Sequence, residues 1–315
     1  MARDPRRDTP RANRPAVAAA RATGRFDRGL LADERRERRA LFGLCAPSLL
    51  LIGVILCVPI GWLFWLSVVG ANGGLSMENY RRLWESSAYV GVLRTTFGIG
   101  FLVTGICLVL GYPLAYLLAE VPRRTGAVLM VAVILPYWTS VLVRTYAWLV
   151  LLQRRGLVNT VLMSTGIIDE PLRLVHNLTG TVIGMVHIML PFMVLPLYAA
   201  MRAIDRDYLK AAASLGASPT VTFWRVFFPL SLPGTLAGTF LVFVLCLGFY
   251  VTPAILGGGR VIMIAQHIQG TLELYAHWGA ASALGVLLLV LTLAILYLAS
   301  RLGHLTGLRI VAGGP

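Results

Sequence analysis

The 315 residues are 57% hydrophobic and 13% charged, with a mean hydropathy of +0.75. A water-soluble domain carries about a quarter charged residues, so this composition excludes one and points to a chain solvated by lipid. The net charge of +14 would suit nucleic acid, but no aromatic residues are interleaved with the basic ones, and nucleic-acid recognition is set aside.

Residues 1–40 mix Arg with Asp, Ala and Pro and show no apolar period. They are expected to form a disordered, basic cytoplasmic tail that touches anionic membrane lipid. A secretory signal is not expected there, because the charged region is too long and no small-residue cleavage site follows it. Six apolar stretches of bilayer-spanning length come next: Leu41–Val69, Val92–Ala119, Ala127–Leu152, Leu178–Ala200, Thr235–Leu256 and Gly279–Leu302. Trp62 and Trp65 near the end of the first suit an interface. The four cysteines (Cys45, Cys57, Cys107 and Cys246) all fall inside apolar runs, without metal-ligand spacing, and read as small packing residues. No metal or cofactor is expected.

Arg35, Arg36, Arg38 and Arg39 flank the first span and set the orientation with both termini in the cytoplasm. Arg81, Arg82, Arg154, Arg155, Arg173 and Arg260 then fall in outside connections. Among these, LSMENYRRLWESSAYV (75–90) has partial helical register and reads equally as an amphipathic lid or an ordinary interfacial helix. Pro113, Pro136, Pro191 and Pro196 are expected to break helical hydrogen bonding within the spans. Gly180 with Gly184, and Gly234 with Gly238, have the spacing of close helix contacts, within the chain or against a neighbouring subunit. Arg144, late in the third span, costs at least about 2.5–3.5 kcal/mol at mid-bilayer depth, so it must face a cavity, a partner or the interface, where it could snorkel.

The connection DYLKAAASLGASPTVTFWRVFFPLSLPG (207–234) is the longest piece between spans that still looks built to fold. Its spacing predicts one helix up to Leu215 and a turn at Gly216. A second helix opens at Ser218-Pro219 and is closed by Pro229 and Pro233. On pattern alone it is either a docking knob for a soluble partner or a membrane-surface linker. The chain lacks a phosphate-binding loop, since its single lysine, Lys210, follows Leu209 and not glycine. Proton coupling is also disfavoured, because no carboxylate falls inside the six spans and His187 is the single deep histidine.

The connection resembles the cytoplasmic loop of bacterial ABC import permeases, which runs Glu-Ala-Ala, three residues, Gly, nine residues and an aliphatic-x-Leu-Pro ending. Ala211-Ala212, Leu215-Gly216-Ala217, Phe223, Val226 and Leu232-Pro233-Gly234 fall where that pattern wants them. Lys210 departs from it by reversing the acidic charge. The similarity extends over Leu41–Leu302 and is greatest to the spermidine/putrescine type. It is carried by ENYRRLWESSAYVGVLRTT from Glu78, GYPLAYLLA from Gly111, ILPYWTSVLVRTYAWLVLLQRRGLVN from Ile134 and MVLPLYAAMRAID from Met193.

The resemblance implies an all-α integral membrane protein of the bacterial inner membrane. It would be a six-helix type I importer bundle over 41–304, with a coupling loop at 202–234 and a short cytoplasmic tail at 305–315. It implies a non-catalytic subunit working with two copies of an ABC ATPase, a related permease in a heterodimer and an extracytoplasmic solute-binding protein. Lys210, Ala211, Ala212, Leu215, Gly216 and Ala217 would make the ATPase contact, and Phe223, Val226, Leu232, Pro233 and Gly234 would pack the loop onto the bundle. Tyr137, Trp138, Thr139, Ser140 and Arg144 are candidates for the solute path, and Arg82, Trp84 and Glu85 for the binding-protein surface. A polyamine is the first expected solute; iron(III), a phosphonate or an opine are alternatives. An ion-coupled secondary carrier and a scaffolding membrane protein are the readings from other classes.

Overall fold

The computed structural model describes residues 43–70, 73–275 and 278–305. The tail expected at 1–40 and all of 305–315 except Leu305 lie outside them. The chain divides into two units, 1–62 and 63–315. Of the first, residues 43–62 are described, as the larger part of helix α1 (Gly43–Val68). Their side chains are apolar on every side, the mark of a helix bathed in hydrocarbon rather than one with a water-facing stripe. Cys45 and Cys57 are exposed there, so the packing reading fits only the buried Cys107 and Cys246.

The second unit is built on three long helices: α3 (Ser87–Glu120), α7 (Leu178–Arg202) and α10 (Phe228–Leu247). They bury Val103, Cys107, Met185, Met193, Leu197 and Val242 against one another. Small residues set how closely they approach. A Cβ on Gly111 would lie 2.9 Å from Met193 Cγ, and one on Gly234 would lie 2.2 Å from Ala200 Cβ. Gly184 meets Leu256 and Thr252 in the same way, and Gly180 meets the Leu174 carbonyl. Both glycine pairs are therefore used inside this chain, the first of the two readings their spacing allowed.

Prolines matter less than expected. Pro113, Pro191, Pro196 and Pro233 all sit inside continuous helices, because a span held by packed neighbours tolerates one lost backbone bond. The helix entering the membrane after the α8 loop begins as α9 (Pro219–Thr222), passes through a π turn (Phe223–Phe227) and continues as α10. Pro229 and Pro233 do not close it. The fifth span accordingly covers 219–247 and not 235–256, and Val251–Leu256 forms a separate short helix, α11.

The third apolar stretch is broken. Helix α4 (Arg123–Ile134), a 3₁₀ turn (Leu135–Trp138) and α5 (Val141–Leu151) make up the stretch, with a bend of 95° sharper than the loss of one helical hydrogen bond at Pro136 implies. Thr139 is extended there, and Pro136, shortly before it, has no N–H to donate back into α4. Among the described residues, five helices are long and apolar enough to cross a bilayer, and six if this bent pair counts as one span.

Helix α13 (Trp278–Leu305) is a further long, apolar helix, and shorter ones complete the unit: α2 (Glu78–Glu85), α6 (Leu157–Ser164), α8 (Arg206–Ser214) and α12 (Ile264–Tyr275). Helix α2 is fastened down. Asn79 Nδ2 donates to the Ser67 and Val69 carbonyls at 3.1 and 3.0 Å, and Tyr80 donates to Ser67 Oγ at 2.9 Å. Leu83 is buried with Ile264, Ala283 and Leu284. These bonds favour the interfacial-helix reading over a free lid.

Candidate functional site

Two regions gather the residues singled out in the sequence: the α8 loop, and the break between α4 and α5. Asp205 caps α8 by accepting from Asp207 N at 2.9 Å. The far end is closed by Gly216 at φ +82°, a left-handed conformation in which glycine alone is unstrained. Ala217 N donates to Ala212 O at 3.1 Å and Gly216 N to Ala213 O at 3.0 Å. This paired pattern is the Schellman stop, and it satisfies carbonyls that would otherwise be orphaned. Ser218 then caps α9, its Oγ accepting from Val221 N at 3.4 Å.

The knob so formed presents apolar surface. Leu215 is 88% exposed at its tip, with Ala211 and Gly216 also exposed and Ala212 and Ala217 half-buried. Lys210 does not disturb it, because its ammonium turns to Asp207 at 2.8 Å on the same helix. The reversed charge is thereby neutralised locally.

Behind the knob, two connections tie it to α3. Arg206 pairs with Glu120 at 2.7 Å, while Arg202 and Arg206 donate to the Ala119 carbonyl at 2.9 and 3.0 Å. Those arginines occupy a carbonyl at the end of α3 that has no partner within the helix. An aromatic cluster makes the second connection. Tyr116 of α3 lies edge-on to Phe223 and Phe227 with centroids 5.5 and 5.0 Å apart, and Tyr112 meets Phe228 at 5.9 Å. The Tyr112 and Ser231 hydroxyls are 2.9 Å apart.

Of the residues expected to pack this loop, Phe223, Val226, Leu232 and Pro233 are half-buried and Gly234 is buried. Phe227, which was not among the residues expected to pack the loop, is the loop's most deeply set aromatic, at 4% exposure. Its signal was present: Phe223 and Phe227 are four residues apart, the spacing that puts both on one helix face. A cavity of about 370 Å³ remains between Tyr116 and Glu120 of α3 and Leu209, Ala213 and Phe223 of the loop.

At the break, Tyr137 and Trp138 are exposed and border an apolar hollow of about 600 Å³ with Pro191, Phe192 and Leu195 of α7. Tyr137 lies edge-on to Phe192 at 5.6 Å. Thr139 and Ser140 are exposed, and Thr139 Oγ1 donates to the Pro136 carbonyl at 2.7 Å. Arg144 is not with them at the surface. It is 8% exposed, and its Nε and Nη1 are sealed from solvent without a hydrogen-bond partner. It does not snorkel, because it lies on the buried face of α5 beside Thr145, which bonds Thr252 of α11 at 3.1 Å.

Similarities of three kinds bear on this arrangement. A profile of the family described as binding-protein-dependent transport system inner membrane component matches residues 111–304. Curated relatives include the spermidine/putrescine transport system permease protein PotB of Haemophilus influenzae. It is 31% identical over 270 residues, which is 86% of this chain and 92% of the relative. PotB of Escherichia coli is 36% identical over 230 residues, 72% of this chain and 83% of its own. Among solved structures, the bacterial alginate ABC transporter in complex with alginate pentasaccharide-bound periplasmic protein shares the fold. Its TM-score is 0.67 at 17% identity, over 85% of this chain and 95% of that one.

Proposed function

Since this chain belongs to the family of binding-protein-dependent transport system inner membrane components, we propose that it forms the solute path of an importer for a polyamine such as spermidine or putrescine. It is a permease subunit of an ABC importer and a multi-pass inner-membrane protein. The identity to permeases named for spermidine and putrescine supports the solute class.

The observation that carries the mechanism is the capped knob at 205–218 and its fixed attachment to α3. The functional permease domain spans 41–304, and both termini and the loop at 202–234 face the cytoplasm. Ala211, Ala212, Leu215, Gly216 and Ala217 seat in a groove of a separate ATPase, two copies of which serve this chain and a related permease partner. When the ATPases close on ATP, force on α8 passes through Arg206–Glu120 and the Tyr116–Phe227 contact into α3 and α10. A stiff lever needs fixed joints, and these are an ion pair plus interlocked rings rather than a single flexible link.

The break at 135–140 is where the path can change shape, since an irregular backbone in a membrane belongs where it lines a cavity. Tyr137 and Trp138 there offer aromatic faces to a polyammonium ion, and Thr139 and Ser140 offer hydroxyl oxygens. Arg144 behind them contributes a fixed positive potential that keeps a polycation from lodging in the membrane. An extracytoplasmic binding protein delivers the solute.

The test is purification of the tagged chain from native membranes, followed by ATPase assay with candidate binding proteins loaded with spermidine. Co-elution of a P-loop ATPase and a second permease, with hydrolysis stimulated by the spermidine-loaded protein, is expected. A chain that elutes alone, or hydrolysis indifferent to spermidine, contradicts the proposal.

A further inference from the structure

At the end of the bundle opposite α8, three loops converge. They are the turn after α5, the segment leading into α7 and the turn after α11, and they enclose a hollow of about 830 Å³. The 25 residues of α7 separate this hollow from the knob by about 37 Å, the span of a bilayer. Arg154, Arg173 and Arg260, one from each loop, line it together with Gln153 and His176.

The walls of the hollow are fixed. Buried Asn159 donates to the Gln153 and Leu172 carbonyls, each at 3.0 Å, and accepts from Leu172 N at 2.9 Å. Asn177 caps α7 by accepting from Gly180 N at 2.9 Å, and its amide also donates to the Arg173 carbonyl. The third loop closes on the second through Gly258, at φ +55°, where a Cβ would lie 2.3 Å from His176 Nδ1. A side chain at 258 would force the loops apart.

The charge gathered there is unneutralised. All three arginines are exposed, none of them forms an ion pair among the described residues, and no carboxylate lines the hollow. Helix α2 differs, for Arg81 pairs with Glu85 at 2.6 Å and Arg82 pairs with Glu78. Its charges cancel within the helix, which weakens Arg82 and Glu85 as the anchor for a partner. Three like charges held together by rigid loops raise a positive potential that an anionic partner would relieve.

A polyammonium solute is repelled by that potential, and a single inorganic anion would fill a small part of the volume. Resting on the importer reading, we propose that this hollow receives an acidic prominence of the solute-binding protein, with clustered Asp and Glu side chains, and so orients the protein for release. Charge complementarity of this kind chiefly speeds encounter and fixes register.

The test measures association of the spermidine-loaded binding protein with the assembled importer in nanodiscs of neutral lipid. It compares wild type, a triple variant (Arg154→Gln, Arg173→Gln, Arg260→Gln) and the corresponding triple lysine variant, each first checked to elute as an intact complex. At low salt the glutamine variant should associate at least about tenfold more slowly, and the lysine variant should keep most of the wild-type rate. The wild-type rate should fall with added NaCl, and the glutamine rate should hardly change.

Equal rates and equal salt dependence in wild type and the glutamine variant would overturn the assignment. So would a difference seen only when the nanodiscs contain phosphatidylglycerol, which identifies a lipid-headgroup site. Loss of wild-type association in millimolar phosphate at constant ionic strength would identify a small-anion site and overturn it likewise. If the wild-type complex binds no loaded protein at all, the importer reading itself falls and this site falls with it.

Discussion

Replacing Gly216 by valine places a β-branched side chain where the backbone sits at φ +82°. No atom beyond the adjacent residues lies within 4 Å of the Cβ position, so crowding contributes nothing and the effect is confined to the backbone. An L residue in the left-handed region costs about 1–2 kcal/mol, and a β-branched one more. Since each 1.4 kcal/mol is about a factor of ten in an equilibrium constant, the balance between the native stop and its alternatives should shift at least about tenfold against the stop. Asparagine tolerates this region far better, so Gly216→Asn should cost a small part of that. Gly216→Asp tests surface rather than backbone, since it keeps the turn but sets a carboxylate beside exposed Leu215. The assay is co-purification of the ATPase with the detergent-solubilised variant, together with hydrolysis stimulated by the loaded binding protein. Both readouts should fall most in the valine variant, clearly in the aspartate variant and little in the asparagine variant. Membrane insertion should be the same in all three, because residue 216 is exposed and outside the spans. A valine variant that docks and couples like wild type would refute the reasoning.

Three further substitutions probe the bundle. Tyr112→Phe removes the 2.9 Å contact with Ser231, whose hydroxyl keeps its bond to the Phe228 carbonyl. The loss should be about 0.5–1.5 kcal/mol, seen as a thermal midpoint lowered by about 1–5 °C. Gly234→Leu drives a side chain into Ala200 and the Pro196 carbonyl, so α7 and α10 must separate. Little monodisperse protein should survive size-exclusion chromatography, and wild-type recovery would show that the close approach is not required. Arg144→Gln removes a buried charge whose Nε and Nη1 have no acceptor. The thermal midpoint of the isolated chain should rise, whereas a fall would reveal an acceptor within the chain.

Most spans were legible because hydrophobic length is a local property of sequence, and the limits of α7 and α13 lie within a few residues of those expected. The stop at Gly216 was equally legible, since the left-handed region singles out one residue type. What could not be read were features decided by neighbours. Pro136 sits at a break while Pro113, Pro191, Pro196 and Pro233 sit in continuous helices. Hydropathy does not register a bend that keeps its residues apolar. The readable difference was the Thr139-Ser140 pair after Pro136, polar residues able to end one helix and begin another. Gly234 and Gly238 announced a close contact without saying that its partner was α7 of the same chain. Arg144 was visible as a charge in a span, but its burial depended on which face of α5 turned inward. Arg154, Arg173 and Arg260 are far apart in sequence, and only the folding of three loops brings them to one hollow.

The central claim is that this chain carries a polyamine across the membrane by means of ATP hydrolysed elsewhere. The most direct test is uptake of radiolabelled spermidine into proteoliposomes holding the co-purified importer, with ATP inside the complex's reach and the binding protein added on the opposite face. Uptake that requires ATP, requires the binding protein and is lost in Gly216→Val is the predicted result. Uptake by this chain alone, driven by an imposed proton or sodium gradient and indifferent to ATP, would contradict it.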